Sequence, residues 1–464
     1  MNIHIKSVLC ALVFSLLFYS KGFGLNVFII SIVVCILTAT HNKEKPIPWL
    51  FVLAYFFCGL MVFVSPSTLT ILAYLASLVV LIGKSIAIKS STYVAGLMGV
   101  VSISMASVGN FIEATSKGKS NTSKQSRNTF LYLKGLFIAL ILVFLFATMY
   151  RKANPIFADF LMKIDLSFIN IYWLLFTIVG YFIFQHILRP YHSEELVKQD
   201  AELPNHLSKP NTPFSKLVTK KLKNEITLGS IIFAALNLLL IFFLITDVTY
   251  LFQLDITENI AYSKSVHQGV YALVFSIVCA IAIILYFFRG NLNFYKKNKP
   301  LLYLTYLWIG LNLILTLITC YKNYSYVAEL GLTYKRIGVF VYLLLVLGGL
   351  ITAGIKVAQQ KNFWFLFRSN TTIIFMLLIL SSAIPWDNTI TKYNLKNLEN
   401  PDIEYLMELN NSNSKILQQF KTNHSGKLTT TQIDRITNRY DNYLTNEASK
   451  SWQEFTLISL TKNY

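Results

Sequence analysis

The chain has 464 residues and a formal net charge of +19; 54% of its residues are hydrophobic and only 14% are charged. A soluble protein of this size carries about a quarter charged residues, so the composition excludes an ordinary soluble protein and predicts a membrane protein. The excess of Lys and Arg does not indicate nucleic-acid binding, because these residues cluster in short connectors between apolar runs, as the positive-inside rule expects.

About eleven apolar runs approach the length of roughly 17 to 25 residues that a helix needs to cross a bilayer. They lie near positions 7–20, 25–40, 48–64, 67–83, 130–150, 168–188, 228–252, 269–288, 301–320, 337–357 and 370–386. The first run lacks an A-x-A-like cleavage site and is followed closely by the second, so we expect a retained helix and no cleaved signal peptide. The pattern predicts an all-α, polytopic transmembrane helix bundle.

A weaker stretch, 92–113, is rich in Gly and Ser. If it crossed the bilayer, the basic loops before and after it would fall on opposite sides of the membrane. We therefore expect it to form an interfacial or re-entrant helix.

The positive-inside rule then places the N-terminus in the cytoplasm. The basic, cytoplasmic connectors are 41–47, 84–128, 189–227, 289–300 and 358–369. The outer face receives 151–167, 253–267, 321–336 and everything after Trp386. The connector 189–227 contains "ELPNHLSKPNTPF", whose prolines and polar residues predict a flexible loop.

The tail, 387–464, has a balanced charge and apolar residues at spacings of three and four, which predict a small domain of amphipathic helices outside the membrane. Thr429 is expected to begin its longest helix. The chain thus divides into N-terminal helices over 1–128, a membrane core over 129–386 and the tail.

No motif in the sequence indicates chemistry. It lacks HExxH, GxSxG and Walker patterns, so no catalytic residue, metal ligand or cofactor is predicted. The five cysteines all fall in apolar runs without a CxxC pair and are expected to be small buried hydrophobes. Few ionisable residues lie deep in the runs, which disfavours a coupled transporter.

Two polar motifs lie on the predicted outer face: "YSKSVHQG" (262–269) and "ELGLTYKR" (329–336). In the second, we expect Gly331 to close a turn, Thr333 to cap the next helix, and Arg336 to meet a lipid phosphate or a carboxylate such as Glu258 or Glu329. A brace between the two loops is the favoured interpretation, with a binding site as the alternative. The candidate binding residues are Tyr262, His267, Gln268, Glu329, Thr333 and Arg336.

Several segments resemble, in their order and spacing, known bacterial integral membrane proteins. They are "LKGLFIALILVFLFATMYRKANPIFADFL", "YSKSVHQGVYAL", "ELGLTYKRIGV", "WDNTITKYNL" followed by "DIEYLMEL", and the terminal "SWQEFTLISL". The chain is similar here to two families of unknown function, DUF4153 and DUF4173, from about residue 130 to the C-terminus. The resemblance implies a polytopic bacterial membrane protein and brings no established activity, substrate or cofactor. Asn154 and Thr456 stand where the family pattern more often has Asp and Asn.

The leading hypothesis is a non-enzymatic protein of the bacterial inner membrane. Its partners would be the lipid bilayer and a ligand, lipid or protein bound or sensed at the outer face, with no nucleic acid. The alternative is a permease or membrane-embedded enzyme that acts on a lipid-like or small substrate. A deep polar cavity that leads to His267 or Arg336 would favour the alternative, whereas a solid apolar bundle would favour binding.

Overall fold

The computed structural model describes residues 3–41, 48–116, 170–191, 194–253 and 279–460, with scattered positions between 135 and 154 and at 276. Over these residues the protein is all-α, as expected, and its one β contact is an isolated bridge between His206 and Lys361. The tail is helical, as its apolar spacing predicts.

The helices of the membrane part follow one another through short turns. They are α1 (Ile3–Phe18), α2 (Leu25–His41), α3 (Trp49–Val64), α4 (Thr68–Ile86), α5 (Thr92–Ser116), α6 (Ile171–Leu188), α7 (Glu194–Glu202), α8 (Lys216–Gln253), α9 (Lys299–Leu330), α10 (Tyr334–Ala358) and α11 (Phe363–Ser382). Six described helices, α4, α6 and α8 to α11, are long and apolar enough to cross a membrane, and α1, α2, α3 and the first part of α5 are shorter apolar helices.

The tail is built from short helices. They are α12 (Trp386–Asn397), α13 (Ile403–Glu408), α14 (Ser414–Asn423), α15 (Thr430–Ser449) and α16 (Leu457–Leu460), with a 3-10 turn over Trp452–Glu454. Thr429 caps α15 as expected, since its hydroxyl accepts a hydrogen bond from the N–H of Gln432.

The connections fall at two ends of the bundle. At the tail end, the α1–α2 turn contacts the 3-10 turn of the tail, and the end of α3 contacts α16. At the connector end lie the α4–α5 turn, the segment 189–215, the segment 288–298 and the α10–α11 turn, which hydrogen-bond to one another. The N-terminus of α1 and the tail therefore lie at opposite ends of the bundle.

Two apolar clusters fill the membrane part. One joins α1 to α4 with α6, around side chains such as Tyr55, Leu81 and Phe184. The other joins α8, residues 279–292, α9, α10 and the start of α11, around side chains such as Phe233 and Phe288. Helix α11 packs on α3, α4 and α5 as well as on α10, so it connects the two clusters.

Helix α5 covers the stretch 92–113, and its expected interfacial or re-entrant placement in the membrane stays a prediction. It is unbroken for 25 residues and packs antiparallel along α4. A Cβ at Gly83 would lie 1.8 Å from the carbonyl oxygen of Ala95, and one at Gly99 would lie 1.9 Å from that of Val79. The small residues that weaken this stretch as an isolated span are what allow close packing between membrane helices.

The connector 189–227 is partly a correction: its proline-containing stretch 203–215 is free of helix, as expected for a loop, but helices occupy the residues on both sides. Its last part belongs to α8, which begins at Lys216, and α7 lies within it. The carboxylate of Asp200 in α7 accepts hydrogen bonds from the N–H of Ser91 (2.7 Å) and from Nη2 of Arg368 (2.9 Å). Tyr93 donates to the same carboxylate at 3.2 Å. These four residues form a latch that fixes the connector to α5 and α11.

The latch predicts a pH-dependent loss of stability. Burial by itself raises the pKa of Asp200, but hydrogen bonds from Ser91 and Arg368 hold this pKa below its usual value. Because the folded-state pKa is the lower one, ionised Asp200 stabilises the fold above about pH 4, and this contribution is lost as the pH falls further.

We expect Asp200→Asn to lower the free energy of unfolding by about 2 kcal/mol at neutral pH and to flatten its decline toward pH 3. Thermal unfolding of the detergent-purified protein at several pH values measures both effects. Glu202→Gln is the matched control, since Glu202 forms only an exposed pair with Lys198 and should change little. If Asp200→Asn and Glu202→Gln had the same stability at every pH, the latch would be contradicted.

The orientation of the bundle in the membrane stays a prediction, and the two exposed asparagines Asn211 and Asn411 test it. Asn211 lies in the connector segment and Asn411 in the tail. In intact cells, a cysteine at 411 should react with a membrane-impermeant thiol reagent and one at 211 should not. The reverse pattern would invert the topology.

Candidate functional site

Of the six predicted binding residues, Glu329, Thr333 and Arg336 are described, and they lie at the tail end of the bundle. Tyr262, His267 and Gln268 lie outside the described residues, as does Glu258. Gly331 closes the α9–α10 turn with a φ of +84°, and the hydroxyl of Thr333 caps α10, both as expected. The expected bracing of this turn by "YSKSVHQG" therefore stays a prediction.

Arg336 does not pair with Glu329, which is exposed. Its Nη1 donates to the backbone carbonyls of Leu330 (2.7 Å) and Gly331 at the end of α9. Its guanidinium group lies over the ring of Tyr326, 4.1 Å from the centroid. The last carbonyls of a helix have no partner within it and carry partial negative charge, so they attract a cation as a carboxylate does.

The tail holds the same turn through several side chains. The amide of Asn394 accepts from the N–H of Leu332 (2.6 Å) and donates to its carbonyl (3.0 Å). Tyr334 donates its N–H to the hydroxyl of Tyr405 and its own hydroxyl to Asp387, at 3.0 and 2.8 Å. The "ELGLTYKR" motif is thus a structural contact between α9, α10 and the tail.

An apolar pocket of about 450 Å³ lies between α1, α2, α3, α4 and α6. We call it the apolar pocket. Its walls are formed mainly by Phe14, Phe18, Phe23, Ile30, Val62, Leu75, Leu78, Phe176 and Phe184. The volume is within the range of small-molecule sites, and such sites are mostly apolar with a few placed polar groups.

Two polar features line the apolar pocket. Deep in its wall, the hydroxyl groups of Tyr55 and Tyr74 hydrogen-bond to each other at 2.8 Å, and Tyr55 is fully buried. At the tail end, Lys21 of the α1–α2 turn is exposed. The pocket therefore combines an apolar interior with a single cation at its mouth.

The terminal motif of the tail, "SWQEFTLISL", contacts the α1–α2 turn at the mouth of the apolar pocket. The carboxylate of Glu454 accepts from the N–H of Gly22 at 2.7 Å, and the carbonyl of Phe455 accepts from the N–H of Leu25 at 2.9 Å. Gly24 is required here, because a Cβ would lie 2.5 Å from the carbonyl oxygen of Glu454. These contacts hold the tail against the α1–α2 turn.

The electrostatics of the mouth favour an ionised Glu454. Burial by itself raises the pKa of its carboxyl, but hydrogen bonds from Ser451 and Gly22 and the nearby cation of Lys21 lower it below its usual value. The hydroxyl of Thr456 caps the short helix α16 by accepting a hydrogen bond from the N–H of Ser459 at 3.3 Å.

The family model for the Domain of unknown function (DUF4153) matches residues 28–419. The chain belongs to the DUF4153 family. The resemblance to this family is confirmed, and the match begins well before residue 130, within α2. No curated protein and no solved structure matches the chain. Apolar helices and family membership together identify a membrane protein of a family whose activity is unknown.

The DUF4153 match ends within α14, so Lys21 and the terminal tail motif lie outside it. The candidate site therefore combines elements inside the matched region, α2, α3, α4 and α6, with α1 and the terminal tail motif, which lie outside it.

Sequence reasoning missed several buried cations of this DUF4153 protein. Lys322 lies inside α9 and forms an ion pair with Asp247 at 2.6 Å, with the two side chains only 8% and 15% exposed. Lys356 is 1% exposed and donates to the carbonyl of Phe288 at 2.8 Å. Because hydropathy falls after residue 320, the sequence predicts a loop at position 322, whereas the helix continues to Leu330.

His186 is also buried, and its Nδ1 donates to the carbonyl of Ile103 in α5 at 2.7 Å. It therefore links α5 to α6. Among the described residues, no group of three or more side chains of the metal-ligating types lies together.

The capping role of Arg336 predicts a stability effect. Arg336→Ala removes a charged donor from the last carbonyls of α9 and the contact with Tyr326, so it should lower the melting temperature of the detergent-purified protein. Glu329→Ala should leave it unchanged, and the double variant should match Arg336→Ala alone. If Glu329→Ala lowered the melting temperature in the wild-type background but not in the Arg336→Ala background, Glu329 would be the partner of Arg336 and the prediction would be wrong.

Proposed function

We propose that this DUF4153 protein binds a lipid-like amphiphile in the apolar pocket and senses its presence through the tail. The ligand has an apolar chain and an anionic headgroup. The observation that carries the proposal is an apolar pocket of about 450 Å³ with the cation of Lys21 at its mouth. We further propose that the protein lies in a bacterial inner membrane with the tail outside.

The chain of the ligand is recognised by the pocket walls. Each methylene group removed from water contributes about 0.8 kcal/mol, and the aromatic rings of Phe14, Phe18 and Phe176 offer large apolar surfaces. A chain that comes from the bilayer gains less, because it leaves an environment that is already apolar. Selection among lipids must therefore come from the headgroup and from the fit of the chain.

The headgroup is recognised by charge. Lys21 stands on the outer side in the predicted topology, where the positive-inside rule makes basic residues rare, so its position calls for a partner. An anionic headgroup would compete with Glu454 for Lys21 and for the N–H of Gly22. The Glu454 carboxylate helps to fasten the tail to the α1–α2 turn. A headgroup that displaced it would loosen the tail, and this change would signal that the apolar pocket is occupied.

The proposal is binding without catalysis. The described polar groups of the pocket are two tyrosine hydroxyls that bond to each other and one lysine, which do not form a nucleophile with its base.

One observation favours a permease as the second candidate. A row of buried polar side chains follows α9 and ends at Asn323, whose amide donates to the carbonyl of Arg336 at 3.1 Å. This row leads toward the end of the bundle that carries the tail.

Photo-crosslinking in zwitterionic nanodiscs tests the binding proposal. A fatty acid with a diazirine in its chain should label α1, α3 and α4, and Lys21→Gln should weaken competition by unlabelled fatty acid roughly fivefold. Competition by the corresponding fatty alcohol, which has no charge, should be the same for Lys21→Gln and the wild type. Lys396→Gln, an exposed lysine of the tail outside the pocket, is the matched control.

A second variant, Leu78→Trp, fills the pocket and should abolish crosslinking by the acid and the alcohol alike. The proposal is overturned if both variants label and compete as the wild type does.

A further inference from the structure

Helix α9 carries a polar face through the interior of the bundle. Thr305, Asn312, Thr316, Thr319 and Asn323 follow one another at spacings of three, four or seven residues, so they share one side of the helix, and all are buried. From the first to the last they cover about 27 Å, close to the thickness of the hydrocarbon core. Polar side chains at this depth are costly and are kept for a reason.

Three buried asparagines share one hydrogen-bonding pattern. Asn237 of α8 and Asn312 and Asn323 of α9 each donate the side-chain N–H to a backbone carbonyl, at 2.9, 2.8 and 3.1 Å. These bonds fix which way each amide points. The three Oδ1 atoms are enclosed and have no hydrogen-bond partner among the described residues.

A donor without a partner lies beside two of these acceptors. Nε1 of Trp308 is enclosed and makes no hydrogen bond within the part of the chain that the structure describes. Asn237 bonds to α9 at Leu304, one turn before Trp308, and Asn312 follows one turn after it. Two acceptors and one donor are thus left open within about 12 Å along the axis of α9.

The polar face also reaches a pair of buried charges. Lys322, next to Asn323, donates to Asp247 of α8 at 2.6 Å. The interface between α8 and α9 therefore contains open amide oxygens, an open indole N–H and an ion pair, in an otherwise apolar core.

We propose that this α8–α9 interface is an internal water site. Water molecules would accept from Trp308, donate to Asn237 and Asn312, and continue along the polar face toward Asn323 and the Asp247–Lys322 pair. Buried water typically occupies places where several enclosed polar groups lack partners.

Water fits this set of groups better than an ion does. The indole N–H of Trp308 and the ammonium group of Lys322 oppose a bound cation, and the amide oxygens oppose a bound anion. The site is separate from the apolar pocket, which lies among α1 to α4 and α6. It would give water access to an intramembrane charge pair.

Hydroxyl-radical footprinting by synchrotron X-rays in nanodiscs tests the water site on the unaltered protein, because radicals formed from bound water modify the side chains beside it. Trp308, 5% exposed, should be modified at a rate that approaches that of Trp452, which is 48% exposed in the tail. Phe184, 1% exposed, is the dry reference. Modification of Trp308 as slow as that of Phe184 would overturn the proposal.

A variant supplies a second readout. With water bound, Asn312→Leu removes a ligand of the water, so it should lower the melting temperature and slow the modification of Trp308. In a dry interface the same change removes an unpaired oxygen and should raise the melting temperature instead. Thr305→Val is the control on the same face, since the Thr305 hydroxyl is already bonded to the carbonyl of Leu301.

Discussion

Buried or half-buried cations that bind carbonyl oxygens at the ends of helices connect the separate parts of this molecule. A cation in an apolar environment needs a partner, and the last carbonyls of a helix need donors, so the two requirements satisfy each other. Lys356 meets the end of the helical stretch 279–287, and Arg336 meets the end of α9. Arg439 does the same for α13 in the tail, through the carbonyl of Leu409 at 2.6 Å. The turns of the bundle and tail are held by these contacts.

Contacts at helix ends also determine where the tail lies on the bundle. Because Asn394 and Tyr405 fasten it to the α9–α10 turn, the tail has a fixed point over one half of the bundle. Its second attachment, Glu454 on Gly22, lies over the other half, at the mouth of the apolar pocket. The first attachment has more hydrogen bonds and a buried apolar core beneath it, whereas the second consists of the Glu454 carboxylate, beside an exposed lysine, and the backbone bond from Leu25 to Phe455. A ligand headgroup can therefore act on the weaker attachment.

Sequence patterns predicted the features that depend on local chemistry. The apolar runs identified the all-α membrane bundle, and the turn at Gly331 and the caps at Thr333 and Thr429 followed from residue type and spacing. Features that depend on contacts between distant segments were missed. Helix α5 is stabilised by close packing on α4, and the connector by the latch at Asp200, and neither contact is visible in hydropathy.

The candidate site was the hardest part to predict, for the same reason. Its apolar lining is indistinguishable in sequence from ordinary lipid-facing or core positions, and the placement of Lys21 against the predicted charge bias is a signal that the sequence patterns did not single out. The polar face of α9 did have a sequence signature, since Thr305, Asn312, Thr316 and Asn323 recur at helical spacing. Each of these residues is neutral, so a search for charges in the membrane passes over them. A buried amide fixed by one bond leaves its other atom open, and that property appears only when the helices are packed together.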